Sequence, residues 1–143
     1  MKKFVFPLQP VLNWRDHLHN ADRTHLQTLL TEQAKVRGAS AEVDKELRTG
    51  VVEENLDSSE LHRLATYKAF LRAKAVELEA QSELCQRKVT EQRSRCIESQ
   101  RAQKIIEKLK QKRMADWKHS IDRESDSNAE ETYVANWNRK LTL

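Results

Sequence analysis

The feature that most limits what this chain can fold into is the spacing of its apolar residues. In the first half they recur in alternating steps of three and four, although some of the places are filled by polar residues. Such steps put side chains on one narrow stripe of an α-helix, and that stripe packs against another helix in a coiled coil. The first series is Leu26, Leu29, Gln33, Val36, Ser40, Val43 and Leu47.

A longer series with the same steps follows in the second half. After Ile106 the steps become irregular, as at a stutter, and we expect the helix to fade near Asp122. The two cysteines, Cys85 and Cys96, fall on this series, which favours small seam residues in a reducing compartment over an intermolecular disulfide or a redox sensor. The second series is Leu61, Leu64, Lys68, Leu71, Ala75, Leu78, Ser82, Cys85, Val89, Gln92, Cys96, Ser99, Gln103 and Ile106, followed by Leu109, Met114, Trp117 and Ile121.

The composition agrees with long helices that share a narrow contact. Of the 143 residues, 38% are hydrophobic and 34% are charged, and there are only two glycines and two prolines. A compact globule needs more turns and a wider apolar supply, and a disordered chain would lack periodic leucine. We therefore predict an all-α, elongated, antiparallel two-helix coiled-coil hairpin with a longer second helix.

Local sequence signals predict where the two helices begin and end. Pro10 suits a first helical turn, and Asp57 followed by Glu60 has the spacing of a capping box. The stretch between the two series contains Gly50 and a cluster of Asn, Asp and Ser. The resulting prediction is a single hairpin over residues 1–122 with an acidic, partly ordered or helical extension beyond it. Helix one covers about 10–47, the turn about 48–58, helix two about 59–122, and the extension 123–143.

A fold-back centred near residue 53 would place residue 10 opposite about residue 96. Everything beyond about residue 100 would then lack a partner in the chain. Residues 101–119, here called the basic segment, hold seven Lys or Arg against two acids, which gives +5. Docking to an acidic protein surface is favoured, followed by a solvated face with a self-association seam. Nucleic-acid binding is less favoured, because no recognition module accompanies the segment. Membrane-surface association is also among the less favoured alternatives.

The opening segment, residues 2–12, reads KKFVFPLQPVL and is more apolar than the rest of the chain. Pro7, Gln9 and Pro10 break its apolar run and no small-residue cleavage site follows, so a secretory signal is not predicted. No run of 18 apolar residues exists to form a transmembrane helix. We expect an extended lead-in from Lys2 to Gln9 that enters helix one at Pro10.

Residues that carry catalysis or bind cofactors are not evident. Glycines only at 38 and 50 exclude a glycine-rich phosphate loop, and no Cys/His cluster has zinc spacing. His17 and His19 would point to opposite sides of a helix. We therefore expect a protein that is not an enzyme, with no catalytic residue, cofactor or metal.

Stretches in the N-terminal and C-terminal parts of the chain resemble a known family. Phe4-x-Phe6-x-Leu8, then Val11-Leu12 and Arg15, resembles the opening signature of the FliJ family, small proteins of the bacterial flagellar type III export apparatus. The block IIEKLKQKR at 105–113, followed by Trp117, resembles that family's second block. The resemblance spans the chain, although most of it is coiled-coil composition.

The resemblance implies a stalk that couples the hexameric export ATPase to the cytoplasmic domain of the membrane export gate and assists export chaperones. It implies a cytoplasmic protein, peripherally associated with the inner-membrane export apparatus, without membrane insertion or nucleic-acid binding and monomeric when free. The end bearing both termini would enter the ATPase ring. Its anchors would be Phe4, Phe6, Leu8, Val11, Arg15, Ile105, Leu109, Arg113 and Trp117.

Three alternatives remain open. The phenylalanines can instead cap the hydrophobic seam. The chain can be a structural coiled coil that homodimerises through its basic segment. It can also be the equivalent stalk protein of a virulence type III secretion system.

Overall fold

The structure, a computed structural model, describes residues 3–49 and 57–142, and nearly all of them are helical. Helix α1 spans Gln9–Arg48 and helix α2 spans Ser58–Leu141, which are 40 and 84 residues long. No strand occurs within the two described ranges. The predicted all-α fold with two helices, the second longer, is confirmed.

The helix starts follow the predicted local chemistry. A turn precedes α1, in which the Gln9 amide donates to the Phe6 carbonyl oxygen at 3.1 Å, and Pro10 then occupies the first helical turn. At α2, the Asp57 amide donates to Glu60 Oε2 at 3.3 Å and Asp57 Oδ1 accepts from the Ser58 amide at 2.7 Å. These bonds satisfy donors that a helix N-terminus leaves open, so the predicted cap is present.

Parts of two predictions lie outside the described residues. The turn expected over 48–58 falls largely on residues 50–56, and the lead-in begins at Lys2. The described part of the lead-in is irregular over 3–6 and forms a turn at Pro7 and Leu8. The lead-in was predicted to be extended throughout, but it contains this turn.

The chain divides into two compact units. The central unit is His19–Glu98, and the terminal unit combines Met1–Leu18 with Ser99–Leu143. Within the central unit the helices run antiparallel, since Glu46 bonds Tyr67 while Asp22, earlier in α1, bonds Gln92, later in α2. A buried hydrophobic cluster in it holds Val43, Leu71 and Leu78, with Val36, Ala39, Leu47 and Ala75 packed against it.

The predicted seam matches the burial pattern closely. All seven residues of the first series are buried or half-buried, and so is every member of the second series except Leu61. Leu61 is 52% exposed, because Tyr67, six residues later, already bonds Glu46 near the end of α1. The start of α2 therefore extends past the end of α1.

The terminal unit corrects the predicted fold-back register. A hairpin centred at residue 53 would put residue 16 opposite about residue 90, yet Asp16 accepts a hydrogen bond from Gln103. Phe4 likewise meets Trp117. The expectation that everything beyond about residue 100 lacks a partner is therefore wrong. Interdigitation of seam side chains sets the register, and the midpoint of the connecting segment does not.

The end of α2 lies beyond the end predicted for helix two. The helix runs to Leu141, so of the two alternatives for residues 123–143 the helical extension is the one present, and all residues from 122 to 142 are exposed. The loss of the apolar period at Ile121 marks the end of packing, and the helix itself continues. No glycine or proline interrupts the sequence there, and Arg139 and Lys140 in the last turn favour the negative end of the helix dipole.

Candidate partner-binding surface

All nine residues predicted to bind a partner lie in the terminal unit. Two helices supply them: the start of α1 with its lead-in, and the part of α2 that contains the basic segment. Six of the nine are at least half-buried within the chain, and three are exposed. The exposed residues are Val11, Ile105 and Arg113.

An aromatic contact joins the two motifs. The Phe4 ring lies with its centroid 5.8 Å from that of Trp117, tilted by 56°. Tilted aromatic pairs at this separation are favourable beyond the area they bury. The irregular lead-in before α1 is thereby held against α2, and the first and second blocks of the family resemblance meet in space.

Phe6 and Leu8 behave mainly as seam residues. Phe6 is only 6% exposed and Leu8 is half-buried, while Leu12 continues the buried series into α1. A side chain that is already covered offers little area to a partner. This burial supports the alternative in which Phe6 caps the seam.

Arg15 has an unusual environment for a cation. Its guanidinium carbon lies 4.8 Å from the centre of the Trp14 ring, within the range of a cation–π interaction. Its Nε is buried and makes no hydrogen bond with any described residue. Buried donors without an acceptor are rare in proteins. Because the atom is covered, an acceptor outside the chain could not reach it in this conformation.

The three exposed residues of the predicted set differ in chemistry. Ile105 is 69% exposed and Val11 is 38% exposed, while Arg113 lies among the exposed cations of the basic segment. A binding surface built from them would combine apolar contact with positive charge. Leu109 and Trp117, half-buried beside them, would supply its inner edge.

Polar bonds between the helices were not predicted from sequence. Gln103 donates to Asp16 in the terminal unit, and in the central unit Gln92 donates to the Asp22 carbonyl at 3.0 Å and Gln33 to Gln86 at 2.6 Å. The three donors stand at seam positions, where polar residues interrupt the apolar pattern. A glutamine at such a place is itself a signal, because its amide needs a partner when buried.

Two groups in the central unit titrate above their usual range. Burial raises the pKa of the Cys96 thiol, to which the nearby Asp22 carboxylate adds. The Tyr67 hydroxyl donates to Glu46 at 2.7 Å, and this bond raises the pKa of the phenol. Both shifts favour the neutral form, which suits a structural role for each side chain.

A further exposed apolar strip lies near the end of α2. The Tyr133 and Trp137 rings stack with centroids 6.5 Å apart, and Val134 and Leu141 lie on the same side of the helix. All four are more than half exposed. The sequence predicts a partly ordered or helical extension here, and the structure places these side chains on a helix.

No group of three or more metal-ligating side chains occurs in the part of the chain that the structure describes. Neither helix, over its described length, has a segment apolar enough to cross a membrane. No protein family, curated protein or solved structure matches the chain in comparisons with known proteins.

Proposed function

We propose that this protein is a non-enzymatic component of the bacterial flagellar export apparatus, coupling the hexameric export ATPase to the cytoplasmic domain of the membrane export gate. It would assist export chaperones from the cytoplasmic side of the inner membrane. The proposal starts from the resemblance of the opening motif and of the 105–113 block to the FliJ family.

The observation that carries the proposal is the contact between Phe4 and Trp117. It brings together the two stretches on which the resemblance rests, although they are far apart in sequence. The same unit exposes Val11, Ile105 and Arg113. These features support a binding surface for the ATPase at the terminal unit.

Binding to purified flagellar export ATPase tests the proposal. The variant Val11→Asp/Arg113→Glu changes two exposed residues of the candidate surface without removing a buried side chain. We expect it to weaken capture of the ATPase by about tenfold or more, as at an interface hot spot. Stimulation of ATP hydrolysis by the added protein should fall in parallel.

The matched control is Val76→Asp/Arg72→Glu, in which the same changes fall on exposed residues of the central unit. This control should bind as the unaltered chain does. Equal binding and equal ATPase stimulation by the Val11→Asp/Arg113→Glu variant and the unaltered chain would refute the proposed surface. Absence of binding by the unaltered chain, which we expect to be monomeric at micromolar concentration, would refute the function itself.

A further inference from the structure

A row of exposed side chains runs along α2 on the side opposite its buried seam. From residue 101 to 133 it advances in alternating steps of four and three, and every member is exposed. Lys108, for example, stands two positions, or about 200° of turn, from both Ile106 and Lys110, which are half-buried. This row, the outer stripe, contains Arg101, Ile105, Lys108, Lys112, Ala115, His119, Asp122, Asp126, Ala129 and Tyr133.

The outer stripe is basic in its first half and acidic in its second. Lys104, Lys108 and Lys112 are spaced by four residues, and so are Asp122, Asp126 and Glu130. Lys104 and Glu130 are exposed beside the stripe. Among the described residues an ion pair joins Arg95 to Glu91. None of the six charges just named takes part in an ion pair with another described residue.

We propose that the outer stripe binds the outer stripe of a second copy of the chain, antiparallel, about a two-fold axis level with Trp117. In that register Lys104 faces Glu130, Lys108 faces Asp126 and Lys112 faces Asp122. Each pair occurs twice, because a two-fold interface uses the same patch on both copies. A parallel arrangement in the same register would set lysine against lysine.

The uncharged residues of the stripe fit the same register. Ile105 faces Ala129, and Ala115 faces His119, so a large side chain meets a small one in both places. Arg101 faces Tyr133, a pair able to form a cation–π contact. The register therefore pairs all ten stripe residues, five from each half, without a clash of like charges.

The attraction in this dimer is chiefly electrostatic, because the stripe contains few apolar residues. Exposed ion pairs are individually weak and are screened by salt. The dimer is therefore expected at high protein concentration and low ionic strength. It is compatible with a monomer at micromolar concentration. The proposal rests on the charge pattern of the stripe and not on the function proposed above, although both surfaces include Ile105.

Sedimentation equilibrium of the full chain tests the inference. At about 1 mM protein the mass should approach twice 16.8 kDa in about 0.01 M salt and return to the monomer mass in about 1 M salt, where screening shortens from about 30 Å to about 3 Å. Two charge-reversal variants, Lys104→Glu/Lys108→Glu/Lys112→Glu and Asp122→Lys/Asp126→Lys/Glu130→Lys, should each remain monomeric in low salt. Their equimolar mixture should dimerise, because each supplies the charge that the other lacks.

The matched control for the lysine variant is Lys74→Glu/Arg87→Glu/Lys88→Glu, which makes the same charge change on exposed residues of the central unit. It should dimerise as the unaltered chain does. Circular dichroism of each variant checks that the helices form.

Spin labels test the register directly. With Cys85 and Cys96 replaced by alanine, a label at Ala115→Cys should lie close to its copy, about 6 Å apart along the axis. A label at Ala129→Cys should lie about 36 Å from its copy along the axis, since each residue advances 1.5 Å. Short distances at both positions would contradict the antiparallel register.

Two results would overturn the proposal. One is a monomer mass for the unaltered chain at about 1 mM in low salt. The other is a mixture of the two reversal variants that associates no better than either alone. Loss of DNA binding in the lysine variant, with self-association unchanged, would instead assign the basic half of the stripe to nucleic acid.

Discussion

The central unit and the last turns of α2 are both helical, but different physical forces maintain them. Along α2 in the central unit, a side chain is covered every three or four residues, and Leu71 and Val89 retain only 4% and 1% of their exposure. Over residues 122–142 every residue is exposed. The first region is helical because of packing, whereas the second depends on helix propensity and on continuity with the turn before it.

The comparison shows that where a helix packs and where it ends are decided by different features of the sequence. A regular apolar period shows where a helix meets a partner, while glycine, proline and caps decide where the helix stops. In α2 the period ends at Ile121 and the helix ends at Leu141. A helix without packing is marginal in water, so the two regions should differ in stability.

The largest expected effect is in the packed region. Leu71→Ala should lower the free energy of unfolding by about 2–5 kcal/mol, because it opens a cavity in the cluster with Val43 and Leu78. Phe70→Ala, one residue away but 60% exposed, should cost less than about 1 kcal/mol. Urea unfolding followed by circular dichroism measures both. Equal losses would mean that the seam does not carry the stability.

A smaller effect is expected from the buried amide. Gln92 is 3% exposed and donates to the Asp22 carbonyl. Gln92→Ala should cost about 1–3 kcal/mol, since it removes both the bond and the packing of the side chain. Gln100→Ala, at an exposed position, is the control for the same urea experiment. A loss no larger than that of the control would show that the polar seam residue is dispensable.

These two sites also show how far the sequence predicts the fold. The spacing of leucine, valine and cysteine is enough to identify nearly every seam residue, because burial on a helix follows its period. The pairing of Gln92 with Asp22 depends on how the two helices slide against each other. That register results from many side-chain contacts acting together. A symmetric fold-back would put a residue about two helical turns before Gln92 opposite Asp22.

The sequence predicts the candidate surface only in part, again because it does not give the register of the two helices. The motifs identified Phe4 and Trp117 from their types and neighbours, but only the three-dimensional register brings the two rings to 5.8 Å. The burial of Phe6 and the exposure of Ile105 likewise depend on which side of the helix contacts its partner. The apolar strip around Trp137 was not predicted, because the loss of the heptad period after Ile121 leaves open whether the chain beyond it is helical or partly ordered.

A gain in stability of about 0.5–1 kcal/mol is expected for Gly38→Ala. Gly38 lies inside α1, and a methyl group added there would meet nothing within 4 Å. Alanine has the higher helix propensity and restricts the unfolded chain. Thermal unfolding should show a raised midpoint. An unchanged or lowered midpoint would mean that the helix is already strained or frayed at this residue.

The smallest effect is expected for Trp137→Ala, although tryptophan is larger than the residues replaced at positions 71, 92 and 38. Trp137 is 55% exposed and contacts Tyr133 on its own helix. The free energy of unfolding should change by less than about 0.5 kcal/mol. A loss comparable with that of Leu71→Ala would show that residues 122–141 are packed in solution.

Amide hydrogen exchange of the full chain tests the central claim most directly. It should be measured at micromolar protein in high salt, so that self-association through the outer stripe does not contribute. The packing account predicts strong protection of α2 from about residue 64 to 117 and weak protection from about 125 to 141, where the helix can open without breaking contacts with α1. Equal protection of both stretches would contradict the account.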